Sequence, residues 1–152
     1  MPEVTSRLCI PAPLERVYAL ARDIEGLAPY IADVESIRVR EREGPRTVTE
    51  WVGVIREYGR KIKWTEEDHW DDVSHICRFA QLQGDFTEYR GTWSFRDADG
   101  ATEVEIVLHY EYPIPLIGPL IQKLLLKKVQ ASCDNILQGL QERALQSLEK
   151  KE

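Results

Sequence analysis

Between residues 116 and 150, apolar side chains return at steps of three and four: Ile117, Leu120, Ile121, Leu124, Leu125, Val129, Cys133, Ile136, Leu137, Leu140, Ala144, Leu145 and Leu148. That spacing predicts one long helix with a single apolar stripe, while Lys123, Lys127, Lys128, Asp134, Glu142 and Arg143 lie mostly off it. At about 1.5 Å per residue the helix reaches roughly 45 to 50 Å. Such a length needs a wide partner surface, and almost everything between Val34 and Tyr112 alternates with the period of two expected of β-strands. A helix lying across a curved sheet encloses a space.

Taken in order, residues 3–10 alternate as a first strand that Pro11 and Pro13 end. Val17, Leu20, Ala21 and Ile24 then predict a helix over 14–24, Gly26 breaks it, and residues 27–31 read as a second short helix or turn. Six strands follow, over 35–43, 46–57, 60–70, 74–83, 85–96 and 102–112. They are separated by Gly44-Pro45, Tyr58-Gly59, Asp71-Asp72, Gly84 and the Asp97 to Gly100 cluster. No repeat or low-complexity segment interrupts them.

Residues opposite each other in an antiparallel pair share a face, so the turns predict which face is inside. Pairing Glu57 with Arg60 sets Ile55 against Ile62, Gly53 against Trp64 and Trp51 against Glu66. Pairing Phe95 with Thr102 sets Trp93 against Val104 and leaves Ile106, Leu108, Tyr110 and Tyr112 inside, with Glu103, Glu105, Val107, His109 and Glu111 outside. A three-residue turn over 71–73 sets Arg78 against Glu66 and Trp64 against Ala80. The inner face thus collects Trp and Tyr together with Glu66, Asp68 and Arg78. Charged groups inside are costly unless paired or wet.

The 152 residues, 43% hydrophobic and 30% charged, are expected to form one domain with its own core. A net charge of −6 argues against a nucleic-acid partner. Cys9, Cys77 and Cys133 are odd in number and far apart, and the first residues show no signal-peptide pattern; both point to a reducing, cytoplasmic setting. The acidic and histidine run from Glu66 to His75 does not predict a metal site, because Glu67 and His69 point away from Glu66 and Asp68 on a strand. His109 falls on the outer face, so no Ser/His/Asp arrangement is built on it.

The order of elements is that of the helix-grip fold, an α+β architecture in which a strongly curved antiparallel sheet of about seven strands wraps one long C-terminal helix. Residues carry a resemblance as well. Ile10-Pro-Ala-Pro-Leu-Glu-Arg-Val-Tyr18 with Asp23-Ile-Glu25, then Gly84-Asp-Phe86, Gly91-Thr-Trp93-Ser-Phe95 and Gly100-Ala-Thr102-Glu-Val104, resemble the START and birch-pollen-allergen-like superfamily. Within it they are similar to the polyketide cyclase/dehydrase and coenzyme-Q-binding START-like groups. The likeness runs over the whole chain, 1–152, and implies lipid carriers, receptors and cyclases alike. Aromatase/cyclase members place a tryptophan, a small hydroxyl residue and an arginine on the inner face of the fourth strand. Trp64 matches the first, but Glu66 and Asp68 stand at the other two positions, and Val34 stands where those enzymes have a tyrosine.

Three functions follow as expectations. The first is binding of one hydrophobic small molecule (a lipid, isoprenoid, quinone or polyketide-like ring) by Trp51, Trp64, Trp93, Ile106, Leu108, Tyr110, Leu125, Val129, Cys133 and Ile136. The second is cofactor-free cyclisation or dehydration in the same cavity, with Glu66, Asp68 and Tyr89 as acid and base and Arg78 stabilising an enolate oxygen. The third is a partner-binding START-like module, such as a toxin component or ribosome-associated protein. The stretch from Tyr112 to Lys128, apolar and then basic, reads either as a buried connection or as a lip for transient contact with a membrane or carrier protein. The pattern leaves oligomeric state open.

Overall fold

The computed structural model describes residues 2–56, 59–113 and 119–149. Strand β1 (Glu3–Ile10) leads into helices α1 (Leu14–Arg22) and α2 (Ile24–Leu27) and a 3-10 turn (Ala28–Tyr30). Strands β2 (Val34–Glu43), β3 (Arg46–Ile55), β4 (Arg60–Asp71), β5 (Ile76–Gly84), β6 (Glu88–Ala98) and β7 (Ala101–Glu111) precede the long helix α3 (Pro119–Glu149). The seven strands form one sheet in the order β1-β7-β6-β5-β4-β3-β2, with every neighbouring pair antiparallel. This is the helix-grip arrangement the patterning predicts.

Local chemistry explains the boundaries. Pro13 stands before α1 with extended backbone, and the buried Thr102 hydroxyl donates to the Ala12 carbonyl at 2.7 Å, tying the β1–α1 corner to β7. The β6–β7 hairpin turns on two residues with positive φ, Asp99 at 55° and Gly100 at 92°, the geometry that matches the twist of the flanking strands. This tighter turn sets Phe95 against Val104 and Trp93 against Ile106, two positions from the predicted partners. Likewise β3 and β4 pair Trp51 with Trp64 and Gly53 with Ile62, again two positions away. Side chains alternate with period two, so an even slip keeps each residue on its predicted face: Val104, Ile106, Leu108 and Tyr110 are buried.

The β4–β5 connection differs by an odd number, and its faces are exchanged. Asp71 Oδ1 accepts from the backbone N–H of Val73 at 3.0 Å and of Ser74 at 3.1 Å, and His75 takes a positive φ of 56°. Asp71 therefore pairs with Ile76 and His69 with Arg78; the loop spans residues 72–75, one longer than the predicted turn. Cys77 and Phe79 turn inward, while Arg78, Ala80 and Leu82 turn outward. The expected pairing of Arg78 with Glu66 does not form: Glu66 lies opposite Gln81.

A second correction concerns α3. From Val129 onward its stripe is buried at Val129, Cys133, Ile136, Leu137, Leu140 and Ala144, but Leu120, Ile121 and Leu124 are exposed. A helix of 31 residues is about 46 Å long and outruns the surface that could cover it. Its C-terminal half is clamped to the early helices, where Arg143 donates to the carbonyls of Leu20 at 3.0 Å and Asp23 at 2.9 Å. Its middle is held to β1, where Ser6 Oγ donates to Asp134 and Gln130 donates to the Thr5 carbonyl at 3.0 Å. The predicted turn at Tyr58 and the part of the apolar lip over residues 114–118 lie outside the described residues.

Candidate functional site

Between the sheet and α3 lies a cavity of about 280 Å³, close to the lower end of small-molecule pockets, which span roughly 300 to 1,000 Å³. The sheet contributes Trp51, Gly53, Ile62, Trp64, Tyr89 and Leu108, and the helix contributes Leu125, Val129, Cys133 and Ile136. Of the predicted ligand-binding residues, Trp51, Trp64, Leu108, Leu125, Val129, Cys133 and Ile136 line it. Trp93, Ile106 and Tyr110 are buried beyond the lining, with Trp93 stacked on Phe95 at 6.0 Å.

The wall is a set of rings in defined contact. Trp51 and Trp64 stack at 5.5 Å with planes 12° apart, Trp64 meets Tyr89 at 5.0 Å, and Phe86 meets Trp64 edge-on at 5.6 Å and Tyr89 at 4.7 Å. Such pairs hold their geometry beyond what area burial alone provides. The sequence pattern does not place Phe86 in the lining, because residues 85–96 read as one strand. In the structure β6 begins at Glu88, and Gln81 grips the preceding loop by donating to the Phe86 carbonyl at 2.8 Å and accepting from its N–H. Gly84 makes this turn possible: its φ is 152°, and a Cβ there would sit 2.5 Å from the Trp64 Cα. The Gly84-Asp-Phe86 motif was the available signal.

Polar groups are part of the wall as well. Asp33, Arg56, Lys128, Ser132 and Asn135 share the lining, and Asp33 Oδ1 is buried with no hydrogen-bond partner among the described residues. Cys133 faces the cavity as an apolar wall, since burial, helped by Asp134 and Asp33, pushes its thiol up to about 12. Burial likewise keeps the Tyr89 hydroxyl protonated well above the usual phenol range, with acidic Glu66 adding to the effect.

Glu66 and Asp68 face inward, at 3% and 5% exposure, but lie outside the cavity lining. Asp68 Oδ2 accepts from the Thr47 hydroxyl at 3.2 Å and the Thr49 hydroxyl at 2.8 Å. Glu66 Oε1 accepts from Trp64 Nε1 at 2.8 Å, while Trp51 and Trp70 donate to Thr49 and Thr47. Burial pushes Glu66 well above the usual carboxyl range, and the adjacent Asp68 adds to it by charge and hydrogen bond. Asp68 is also raised by burial, with Glu66, Thr49 and Thr47 pulling the other way. Burial of two adjacent carboxyls favours one shared proton over two ionised groups, and the indole of Trp64 connects the pair to the cavity wall.

Arg78 is exposed on the opposite face of β5, so the four predicted catalytic residues do not converge; Tyr89 alone of them lines the cavity. Arg78→Ala is expected to leave both the urea midpoint and ligand binding unchanged, because nothing buried loses a partner. A lower midpoint would show that its guanidinium stabilises the outer face. The acidic run divides as strand alternation requires: Glu67 pairs outside with His69 and Arg46.

The class defined by this fold and cavity is a helix-grip protein with an internal aromatic pocket. The sequence profile of polyketide cyclase/dehydrase and lipid transport proteins matches residues 1–145, and the chain belongs to that family. No curated protein sequence gives a significant match. Among solved structures, the protein TTHA0849 from Thermus thermophilus is 46% identical with a TM-score of 0.92, covering 96% of this chain and 99% of that one. Two more distant structures share the fold. The Zhui aromatase/cyclase from Streptomyces sp. R1128 has 16% identity and a TM-score of 0.79, over 95% of each chain. The STAR-related lipid transfer protein from Xanthomonas axonopodis has 12% identity and a TM-score of 0.76, over 93% of this chain and 85% of that one. Among the described residues no helix is long and apolar enough to cross a membrane.

Proposed function

We propose that this protein binds one compact, ring-bearing hydrophobic molecule in the cavity between the sheet and α3, and does so without catalysis. The observation that carries this reading is the wall of Trp51, Trp64, Phe86 and Tyr89 facing the apolar stripe of α3. Flat rings suit such a wall, and the modest volume favours a compact skeleton over a long acyl chain. Family membership supports a hydrophobic ligand. Cyclase chemistry has less support, because Glu66 and Asp68 sit behind Trp64 and Arg78 faces the other way. Three unpaired cysteines, two of them buried, fit a reducing compartment.

Native mass spectrometry of freshly purified protein, followed by organic extraction, tests the reading, with 1-anilinonaphthalene-8-sulfonate fluorescence as a second probe. The parent is expected to carry an adduct or bind the probe. Ser132→Trp, which fills the cavity from a half-buried position on α3, is expected to lower binding at least tenfold while keeping a cooperative melt. A parent that carries nothing and binds no probe refutes the proposal.

A further inference from the structure

The first turns of α3 carry a second apolar face that the cavity does not use. Leu120 is 70% exposed, and Ile121 and Leu124 are 38% and 37% exposed. At about 100° per residue, Leu120, Leu124 and Ile121 fall within one arc of roughly 100°, turned away from the arc that holds Leu125, Val129 and Cys133. The helix is thus apolar on two sides here, inward to the cavity and outward to solvent. Lys123 and Lys127, both exposed, border the outer stripe.

Charge identifies the occupant. The chain carries 26 acidic residues against 20 basic ones, yet from Pro119 to Cys133 there are three lysines and no Asp or Glu. An acidic protein with one acid-free, lysine-edged apolar stripe is matched to a surface that is apolar within and negative at its face. We propose that this end of α3 docks on a lipid bilayer bearing anionic headgroups, with Leu120, Ile121 and Leu124 entering the interface and Lys123 and Lys127 meeting the headgroups. The position suits exchange of an insoluble ligand: Leu125, Lys128 and Val129, next along the same helix, line the cavity. Docking rests on the outer stripe alone and does not require that the cavity be filled.

The test is co-sedimentation of the whole protein with vesicles of phosphatidylcholine alone or of phosphatidylcholine with phosphatidylserine. Partition onto the anionic vesicles is expected to exceed that onto neutral ones by about 25-fold, roughly fivefold per lysine, and to weaken as salt is raised. Lys123→Glu with Lys127→Glu removes the preference for anionic lipid. Leu120→Ser with Leu124→Ser lowers binding to both vesicles at least tenfold. All four positions are exposed, so thermal melts of both variants are expected to match the parent. Absence of vesicle binding by the parent, or anionic binding that survives either double substitution, overturns the proposal. So does parent self-association on sedimentation velocity that the leucine variant abolishes without vesicle binding, which would assign the stripe to a second copy of the chain. Native mass spectra of the same variants report cavity occupancy separately, so a failed docking test leaves the ligand reading standing.

Discussion

Asp68→Ala is expected to lower stability by roughly 1 to 3 kcal/mol, the cost of leaving a buried donor without its acceptor. Its carboxylate accepts from Thr47 and Thr49 and from Glu66, and deletion strands those donors where water does not reach. Glu66→Gln is expected to do the opposite. Glutamine keeps an acceptor for Trp64 Nε1 and a donor toward Asp68, but it does not ionise. Because the folded pKa of Glu66 is raised, its contribution is fully present below the ordinary glutamate value and is lost as pH rises through the folded value. The parent should therefore lose up to about 1.4 kcal/mol per pH unit across that titration, while the glutamine variant does not. Urea denaturation over a pH series checks this: the two stabilities should converge in acid and separate in favour of Glu66→Gln as pH rises. Parallel curves across the whole series would mean that the pair does not share a proton.

The second large effect belongs to Gly91, where β6 lies between Phe79 and Leu108. A Cβ at this position would meet the Val107 carbonyl oxygen at 2.0 Å, Phe79 Cζ at 2.9 Å and Leu108 Cα at 3.1 Å. Two of these atoms are backbone, so relief requires β6 and β7 to move apart. Gly91→Val is expected to cost about 3 kcal/mol, at the upper end of overpacking effects, with faster amide exchange along β6 and β7 and a smaller loss for Gly91→Ala. A valine variant as stable as the parent would show that the strands do not approach this closely. The motif Gly91-Thr-Trp93 thus has a physical reason: Phe79 can lie across the sheet only where one inner position has no side chain.

Register shows how far sequence reading reached. The β3–β4 and β6–β7 partners are each displaced by two, which moves neighbours along the sheet but not between faces, so Trp51, Trp64, Glu66, Asp68, Ile106 and Leu108 fall inside as patterned. The β4–β5 loop is one residue longer than its predicted turn and exchanges the faces of β5. Hydropathy offers no protection there, because Ile76, Ala80 and Leu82 make one parity about as apolar as Cys77 and Phe79 make the other. Only the Asx turn at Asp71 and the left-handed His75 decide it.

Hydrophobic periodicity by itself determined the seven strands, the long helix, their order and the inner face of four tryptophan- and tyrosine-bearing strands, since period and turn chemistry are local properties. Tertiary structure alone decided the rest. Phe86 enters the cavity because Gln81 pins a loop five residues away in sequence. Glu66 and Asp68 fall behind Trp64 because the ring, not the strand, marks the end of the pocket. The first turns of α3 stand exposed because the helix is longer than the surface that covers it, and no residue within a helix encodes how far its partner extends.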